Sequence, residues 1–505
     1  MFLKVVDAND MRKLEDYAIS DFNIPSIILM ENAAQGAVSA LISETGDVFG
    51  KKIHIFCGGG NNGGDGLAMA RILKNKNADV KITLLKDRCD IKGDAKENLT
   101  ICEKMGIPFV NLCDFNSADI IIDAIFGTGM HGDAAGIFKD AIEKINESHA
   151  FVMSVDIPSG VSANSGYASS PSVLADLCVT FSALKLGHLL FPGKSFFKKL
   201  VKVDISIPQK VINEFESGYD IIDKTCKKLL PERSNNSHKG SFGKALAYVG
   251  GKGTSGAACL SSSAILKSGA GMVMATVPES IYEIVAKHIP AVMVHPITSK
   301  KEVLDKISWA DVLLLGCGIG VNEETKKIVF DLIKTNEKPM CLDADALNII
   351  SENPDILLSK KCEIILTPHI LEFSRLSGLS VDEIKKKPIE CAKAFSKKYG
   401  VTLVLKDAVT IVSDKFGHIF ISSGSNSGMA TAGSGDVLAG IITGLLAQGV
   451  TPLDSSVLGV YIHLASGMLA KDEKGEFGMT AEDILKAVPY AIKENIDISP
   501  NIKEL

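Results

Sequence analysis

Short apolar runs alternate with amphipathic stretches along most of this chain, and that alternation restricts its fold more than any other feature. In the first half Ile53–Cys57 reads as a strand, a Gly/Asn loop follows, and a helix is expected from about Leu67 to Leu73. Val80–Leu85, Ile120–Ala124 and Val152–Val155 read as further buried strands. Runs apolar at every position suit a sheet covered on both faces. The βαβ rhythm implies a parallel, doubly wound, Rossmann-like sheet. Ligands of such sheets sit beyond the carboxyl ends of the strands. The loops that follow these strands include GGGNNGGDG, IFGTGMHGD and DIPSG.

The rhythm pauses near residues 205–232, where Pro208, Glu214, Glu216, Gly218 and Pro231 interrupt it, and the polar run Arg233–Lys239 follows. It restarts with a strand at Ala245–Val249 and a glycine-rich loop, GGKGTSG. Strand-like runs recur at Val273–Val277, Val312–Leu315, Ile364–Thr367, Leu403–Leu405 and Thr410–Val412. The halves share an α/β style without a detectable sequence repeat. A length of 505 residues is compatible with two large α/β units. The expected organisation is therefore two fused α/β domains, residues 1–218 and 219–505.

Hydrophobic content of 46 % and charged content of 23 % describe a globular protein with large cores. The net charge of −6 gives a nucleic-acid partner no electrostatic support, and Lys385–Lys387 reads as a solvated helix face. The 11 cysteines are dispersed and contain no CxxC pair, which argues against zinc and suits a reducing cytosol. The N-terminus MFLKVVDAND meets acids and amides too early for a signal peptide, and no run approaches a membrane span. A cytoplasmic protein without a membrane partner is expected.

The densest chemical signal is GSNSGMATAGSGDVLAG, from Gly424 to Gly440. Its glycines let backbone N–H groups turn inward, and the apolar run beginning at Val437 reads as a helix start. Together they form a place for an anion, most plausibly a phosphate, with Asp436 beside it. Such a carboxylate can take a proton from an attacking hydroxyl or help place a metal. Gly58, Gly60 and Gly63 satisfy GxGxxG after a strand, and Gly251, Gly253 and Gly256 satisfy it again. No acid stands at the end of the next strand about twenty residues on, so a dehydrogenase fingerprint is incomplete. GHLLFPGKS misses the P-loop pattern by one residue.

In the first half Asn62 and Asp65, then Asp123, then Asp156 with Ser159, follow three strands. Hard oxygen ligands in that register could bind a monovalent cation or a sugar phosphate, or act as acid and base. Singly, Asn62, Asp123 and Ser159 also suit turns and caps. In the second half GCGIG, DADALN and TPH each follow a strand, as does LKDAVT with Lys406. His369 and Lys406 therefore stand where a ligand crevice is expected.

These motifs together resemble a known family. DANDMRKLEDYAI, MENAA, GGGNNGGDG, GTGMHGD and DIPSGVSANSG resemble the NAD(P)H-hydrate epimerase domain. HKGSFGKALAYVGG, SGAACLSS, GCGIG, DADALN, TPHILEFSRL and SGMATAGSGDVLAG resemble the ADP/ATP-dependent NAD(P)H-hydrate dehydratase, which has a ribokinase-like α/β fold. The order matches the bifunctional repair enzymes of that family.

The resemblance implies metabolite repair. Hydration at the C5–C6 double bond of a reduced nicotinamide gives R and S hydrates. The first domain interconverts them. The second phosphorylates the ring hydroxyl of the S form with ADP or ATP, and loss of phosphate restores the double bond. In the first domain the resemblance implies hydrate contacts from Asn61, Asn62, Gly63, Gly64 and Asp65. It implies potassium held by Asn62, Asp123 and Ser159. The loop Gly127, Thr128, Gly129, Met130, His131, Gly132 and Asp133 would meet the diphosphate. Asp156 would bind substrate and serve as acid/base, with Lys185 a weaker candidate for the same pocket. In the second domain Gly256, Ala257, Gly318 and His369 would line the hydrate site. Lys406, Asp407, Ala408, Val409 and Thr410, with the stretch Ser425–Gly435 that ends in Gly433, Ser434 and Gly435, would bind nucleotide phosphates. Asp436 would be the base. Magnesium is the second implied ion, and the chain is expected to form homo-oligomers.

Three departures stand out. GTGMHGD has His131 where a basic residue is expected, GCGIG has Cys317 where proline is usual, and KDAVT replaces a glycine-rich version. The alternative to repair is a ribokinase-like kinase of a small vitamin precursor, with a non-catalytic first domain. It would release a stable phosphorylated product rather than free phosphate.

Overall fold

The computed structural model describes residues 4–130, 132–498 and 502–504. The chain divides into two compact units, Met1–Tyr219 with Asn501–Leu505, and Asp220–Pro500.

The sheet of the first unit is parallel throughout. Its strands lie in the order Ile502–Glu504, Phe197–Val203, Ala175–Phe181, Phe151–Val155, Ile120–Ala124, Lys52–Cys57, Asp79–Leu84. The strand Ile120–Ala124 shows why these runs are apolar on both faces apart from Asp123. Ile120, Ile122 and Ala124 enter one hydrophobic cluster and Ile121 enters another, so both faces of the sheet are covered. A second, two-stranded parallel pairing joins Val5–Val6 to Leu184–Lys185, with Val6 opposite Lys185.

One expectation shifts. The first helix after Lys52–Cys57 spans Asn61–Asn75 and so includes the NNGGD residues, which sequence propensity assigns to a loop. Close approach explains the glycines there. A Cβ on Gly63 would collide with the Gly58 carbonyl, and one on Gly66 would lie 2.6 Å from Ala124 Cβ. The glycines thus seat the helix against the sheet, despite the entropic cost of glycine in a helix.

In the second unit a parallel stretch runs Met293–Ile297, Met272–Pro278, Lys244–Tyr248, Val312–Leu315, Met340–Leu342, Ile364–Leu366, Thr402–Leu405. Antiparallel strands Ile411–Ser413 and Ile419–Ser422 continue it. The helix Ser434–Ala447 is buried nearly all round and lies against the helix Ser255–Lys267. Small residues make that approach possible. A Cβ on Gly440 would collide with the Ser261 carbonyl and lie 2.6 Å from Ala264 Cβ. Gly440→Ala is expected to destabilise this unit by about 1–3 kcal/mol through overpacking. An unchanged denaturation midpoint in urea would show that the helices can separate freely.

The helix Pro452–Gly478 corrects the expectation about membrane spans: by length and hydropathy it could cross a bilayer. The share of its apolar window buried inside the unit is 72 %, so it serves here as a core helix. Asp454, Ser455, Ser456 and His463 break up its apolar run, which hid it from the sequence reading.

Candidate active sites

At the carboxyl ends of the strands of the first unit lies a cavity of about 740 Å³. Asp156 follows Phe151–Val155 and faces this space with a left-handed backbone, φ 66°. A non-glycine residue there costs about 1–3 kcal/mol and persists only where its surroundings fix it. They do so here. The Asp156 amide donates to the Val179 carbonyl at 2.7 Å, and its own carbonyl accepts from His188 Nε2 at 2.8 Å. The Lys185 amide donates to His188 Nδ1 at 3.0 Å, which leaves the ring proton on Nε2. Burial, then the Lys185 charge, pulls the His188 imidazole down to about 4, so it is a neutral strut.

Lys185 is 1 % exposed. Its Nζ donates to Asp156 Oδ1 at 2.6 Å and to Thr180 Oγ1 at 2.9 Å, and Thr180 Oγ1 also donates to Asp156 Oδ1 at 3.2 Å. Further acids share the space. Asp65, buried on the helix Asn61–Asn75, has its carboxyl pushed well above the usual range by burial, then by Asp156 and Glu15. Glu15 projects from the helix Ala8–Asp21 and is raised to about 7, chiefly by burial. The cavity therefore pairs a lysine-bound carboxylate with carboxyls held protonated near neutral pH, an arrangement suited to proton transfer.

Asn61, Asn62, Asp65, Gly127, Thr128, Gly129 and Met130 line this cavity. Gly63 and Gly64 do not; they are buried against Gly58 and Met30. Gly132 and Asp133 stand exposed on the same loop, and His131 lies outside the described residues. Behind the loop Asp123 is fully buried. Its Oδ2 accepts from Ser154 Oγ at 2.8 Å and from the Ser159 amide at 2.9 Å, and its Oδ1 meets Ser159 Oγ at 2.5 Å. The Ser159 hydroxyl in turn accepts from the Phe126 amide at 2.9 Å. Asn62 has both its side-chain nitrogen and oxygen buried without a partner. A Cβ on Gly127, next to Phe126, would lie 3.3 Å from Asn62 Oδ1.

In the second unit strand order assembles the site. Val312–Leu315, Met340–Leu342, Ile364–Leu366 and Thr402–Leu405 are parallel neighbours. Their carboxyl ends set Cys317, Asp343, Thr367 and Lys406 beside one another. Asp343 Oδ1 accepts from Thr367 Oγ1 at 2.7 Å and from Lys406 Nζ at 2.8 Å. Burial pulls the Lys406 ammonium down, but Asp343 and Glu372 more than offset it, so it stands raised and charged. The helix Ser434–Ala447 brings Asp436 to this cluster from its first turn. Gly433 precedes that helix at φ 90°, and no side chain caps its N-terminal end. Ligand atoms of Cys317, Asp343 and Asp436 lie within 4.8 Å of one another. Burial, then the Asp343 charge, raises Asp436 to about 6.

The other expected residues divide by location. Gly256 and Ala257 form the first turn of the helix Ser255–Lys267. Thr254 Oγ1 donates to the Gly318 carbonyl at 2.7 Å, and a Cβ on Gly318 would lie 3.1 Å from Ala257 Cβ. These residues form one glycine-lined wall. His369 caps the helix Ile370–Ser377, its Nδ1 accepting from the amides of Leu371 and Glu372 at 3.1 and 3.2 Å. Asp407 and Ala408 are exposed in the turn after Lys406, Val409 is buried, and the Thr410 amide donates to Ser422 Oγ at 2.9 Å. Ser434 Oγ lies 3.2 Å from His463 Nε2, a ring that burial holds at about 4 and therefore neutral. A Cβ on Gly435 would lie 3.2 Å from Lys406 Nζ. Sequence reasoning placed DADALN, which begins at Asp343, at a strand end but gave Asp343 no role, and gave none to Glu15, Thr180 or His188. The strand-end position of Asp343 was the one available signal.

The fold and its two acid–lysine centres define a fused α/β enzyme, a proton-transfer half joined to a half built to hold phosphate. Residues 246–490 match the family model described as NAD(P)H-hydrate dehydratase, and residues 26–187 match the YjeF-related protein N-terminus. The bifunctional NAD(P)H-hydrate repair enzyme of Moorella thermoacetica is 37 % identical over 511 residues, covering 97 % of this chain and 96 % of that protein. Its counterpart in Escherichia coli is 32 % identical over 504 residues, covering 98 % and 96 %. Among solved structures, an ADP/ATP-dependent NAD(P)H-hydrate dehydratase from Bacillus subtilis, co-crystallised with ATP/Mg2+, is 27 % identical. It covers 53 % of this chain and 95 % of that one, with a TM-score of 0.47. The chain belongs to the family of bifunctional NAD(P)H-hydrate repair enzymes.

Proposed function

We propose that this chain repairs hydrated NADH and NADPH. Residues 1–218 act as the epimerase domain that exchanges R and S hydrates. Residues 219–505, apart from the strand Ile502–Glu504 that completes the sheet of the first unit, act as the dehydratase domain that converts the S hydrate to NAD(P)H with ADP or ATP, releasing AMP or ADP and phosphate. The observation that carries this reading is the presence of two separate carboxylate–lysine centres, Asp156 with Lys185 and Asp343 with Lys406, the latter beside Asp436.

In the second domain Asp436 removes the proton of the ring hydroxyl as it attacks the terminal phosphoryl group. Lys406, with Asp407, Ala408, Val409 and Thr410, and the N–H groups of Gly433, Ser434 and Gly435 hold the nucleotide phosphates. Gly256, Ala257, Gly318 and His369 border the hydrate. Phosphate, a far better leaving group than hydroxide, then departs. Asp343 and Asp436 are the hard oxygen donors that would hold a magnesium ion, which would supply positive charge to the nucleotide phosphates. In the first domain Asn61, Asn62, Asp65 and the loop 127–133 bind the hydrate, Gly63 and Gly64 seat the helix behind them, and Asp156 is an acid/base group. The unpartnered Asn62 amide, together with Asp123 and Ser159, fits a potassium ion, which would supply a fixed positive charge beneath the diphosphate loop. A cytoplasmic homo-oligomer is the accompanying expectation.

Asp156→Asn separates the two activities, since asparagine tolerates the left-handed backbone. R-hydrate consumption, coupled to dehydration and corrected for spontaneous exchange, should fall about 10²-fold or more in this variant, and also in the wild type stripped of potassium. S-hydrate dehydration should be unchanged. Equal R-hydrate rates in all three samples would remove the epimerase assignment.

A further inference from the structure

The helix Ala8–Asp21 presents Ala8, Met11, Arg12, Glu15, Asp16 and Ile19 to the first cavity, and Glu15 is the less exposed of its two carboxyls there. Its N-terminal end is fixed by three contacts. Val6 pairs with Lys185 two residues before the helix begins, the Ala8 amide donates to Asn164 Oδ1 at 2.8 Å, and Asp7 caps the helix. The helix and the Asp156–Lys185 pair line the same cavity, and Glu15 enters that space from a different element than Asp156 does.

We propose that Glu15 is the general acid of epimer exchange, working against Asp156 as the base. This rests on the epimerase reading of the first domain. In the step, the Glu15 carboxyl gives its proton to the ring hydroxyl. The C–O bond breaks, water leaves, and the lone pair of the ring nitrogen forms a C=N bond. Water then adds to the other face of that carbon, the C=N pair returns to nitrogen, and Asp156 takes the proton of the incoming water. The two carboxyls end with exchanged protons, which is the starting state for the reverse direction. No oxidant or co-reactant is consumed. The charged neighbours of Glu15 are Arg12 and Asp16 on its own helix, and Lys185, Asp156 and Asp65 from the facing elements. Burial outweighs Lys185 and Arg12 and keeps Glu15 protonated up to about 7. A general acid of this kind gives a rate that falls as pH rises through that value.

Glu15→Gln and Glu15→Asp in the full chain test the assignment. The expected result is an R-hydrate exchange rate down about 10²-fold in Glu15→Gln with KM little changed, loss of the fall in rate above neutral pH, and partial rescue in Glu15→Asp. A thermal melting profile of the full chain that keeps every wild-type transition reports that both variants are folded, the first unit included. Wild-type exchange rates and an unaltered pH profile in Glu15→Gln would overturn the assignment while leaving the epimerase reading in place. A wild-type chain that exchanges epimers no faster than the enzyme-free baseline would overturn both.

Discussion

Asp436→Asn is expected to lower dehydration of the S hydrate by about 10²–10⁴-fold, because the ring hydroxyl loses its proton acceptor. The wild-type rate should carry the signature of that group. A base works as the carboxylate, so kcat should rise with pH through about 6 and level off above it. The same shift has a consequence for stability. Burial raises the folded-state value above the unfolded one, so the stability this group contributes in acid is lost as pH rises through about 6. Asparagine has no charge to bury. The variant should therefore unfold at a higher temperature than wild type near neutral pH, and the difference should vanish in acid below the ordinary carboxylate range. A variant that is both inactive and less stable at neutral pH would point to a structural role for Asp436.

Lys185→Met should be the most damaging change in the first unit. Lys185 is buried with Asp156, and removing one partner leaves a charge without compensation, at a cost of about 3–5 kcal/mol. Epimer exchange should fall with it, since Asp156 also loses the donor that orients Oδ1. Lys185→Met with Asp156→Asn removes both charges and should recover most of the lost stability while leaving exchange abolished. A double variant as unstable as the single would show that Lys185 matters through its bonds to Thr180 and the Phe181 carbonyl instead.

These residues also show where the sequence was legible. Val312–Leu315 is readable because a strand buried on both faces leaves an unbroken apolar run, and Ile120–Ala124 because only Asp123 interrupts one. Asp436 is readable because its glycines and the following helix are contiguous in the chain. Asp343 is not, because its partner Lys406 is 63 residues away and the two meet only through strand order. Glu15 looks like one more solvated acid on an amphipathic helix, and only the pairing of Val6 with Lys185 turns it inward. The helix Asn61–Asn75 begins in residues that propensity assigns to turns, and close contact with the sheet overrides that preference.

The central claim is repair by two linked activities, and recovery of reduced-nicotinamide absorbance from a mixed R/S hydrate tests it most directly. With ADP or ATP, potassium and magnesium, both epimers should be recovered with one phosphate released per nicotinamide restored, and Asp436→Ala should abolish recovery. No recovery with either nucleotide, or a stable phosphorylated product in place of free phosphate, would contradict the claim and favour a small-molecule kinase.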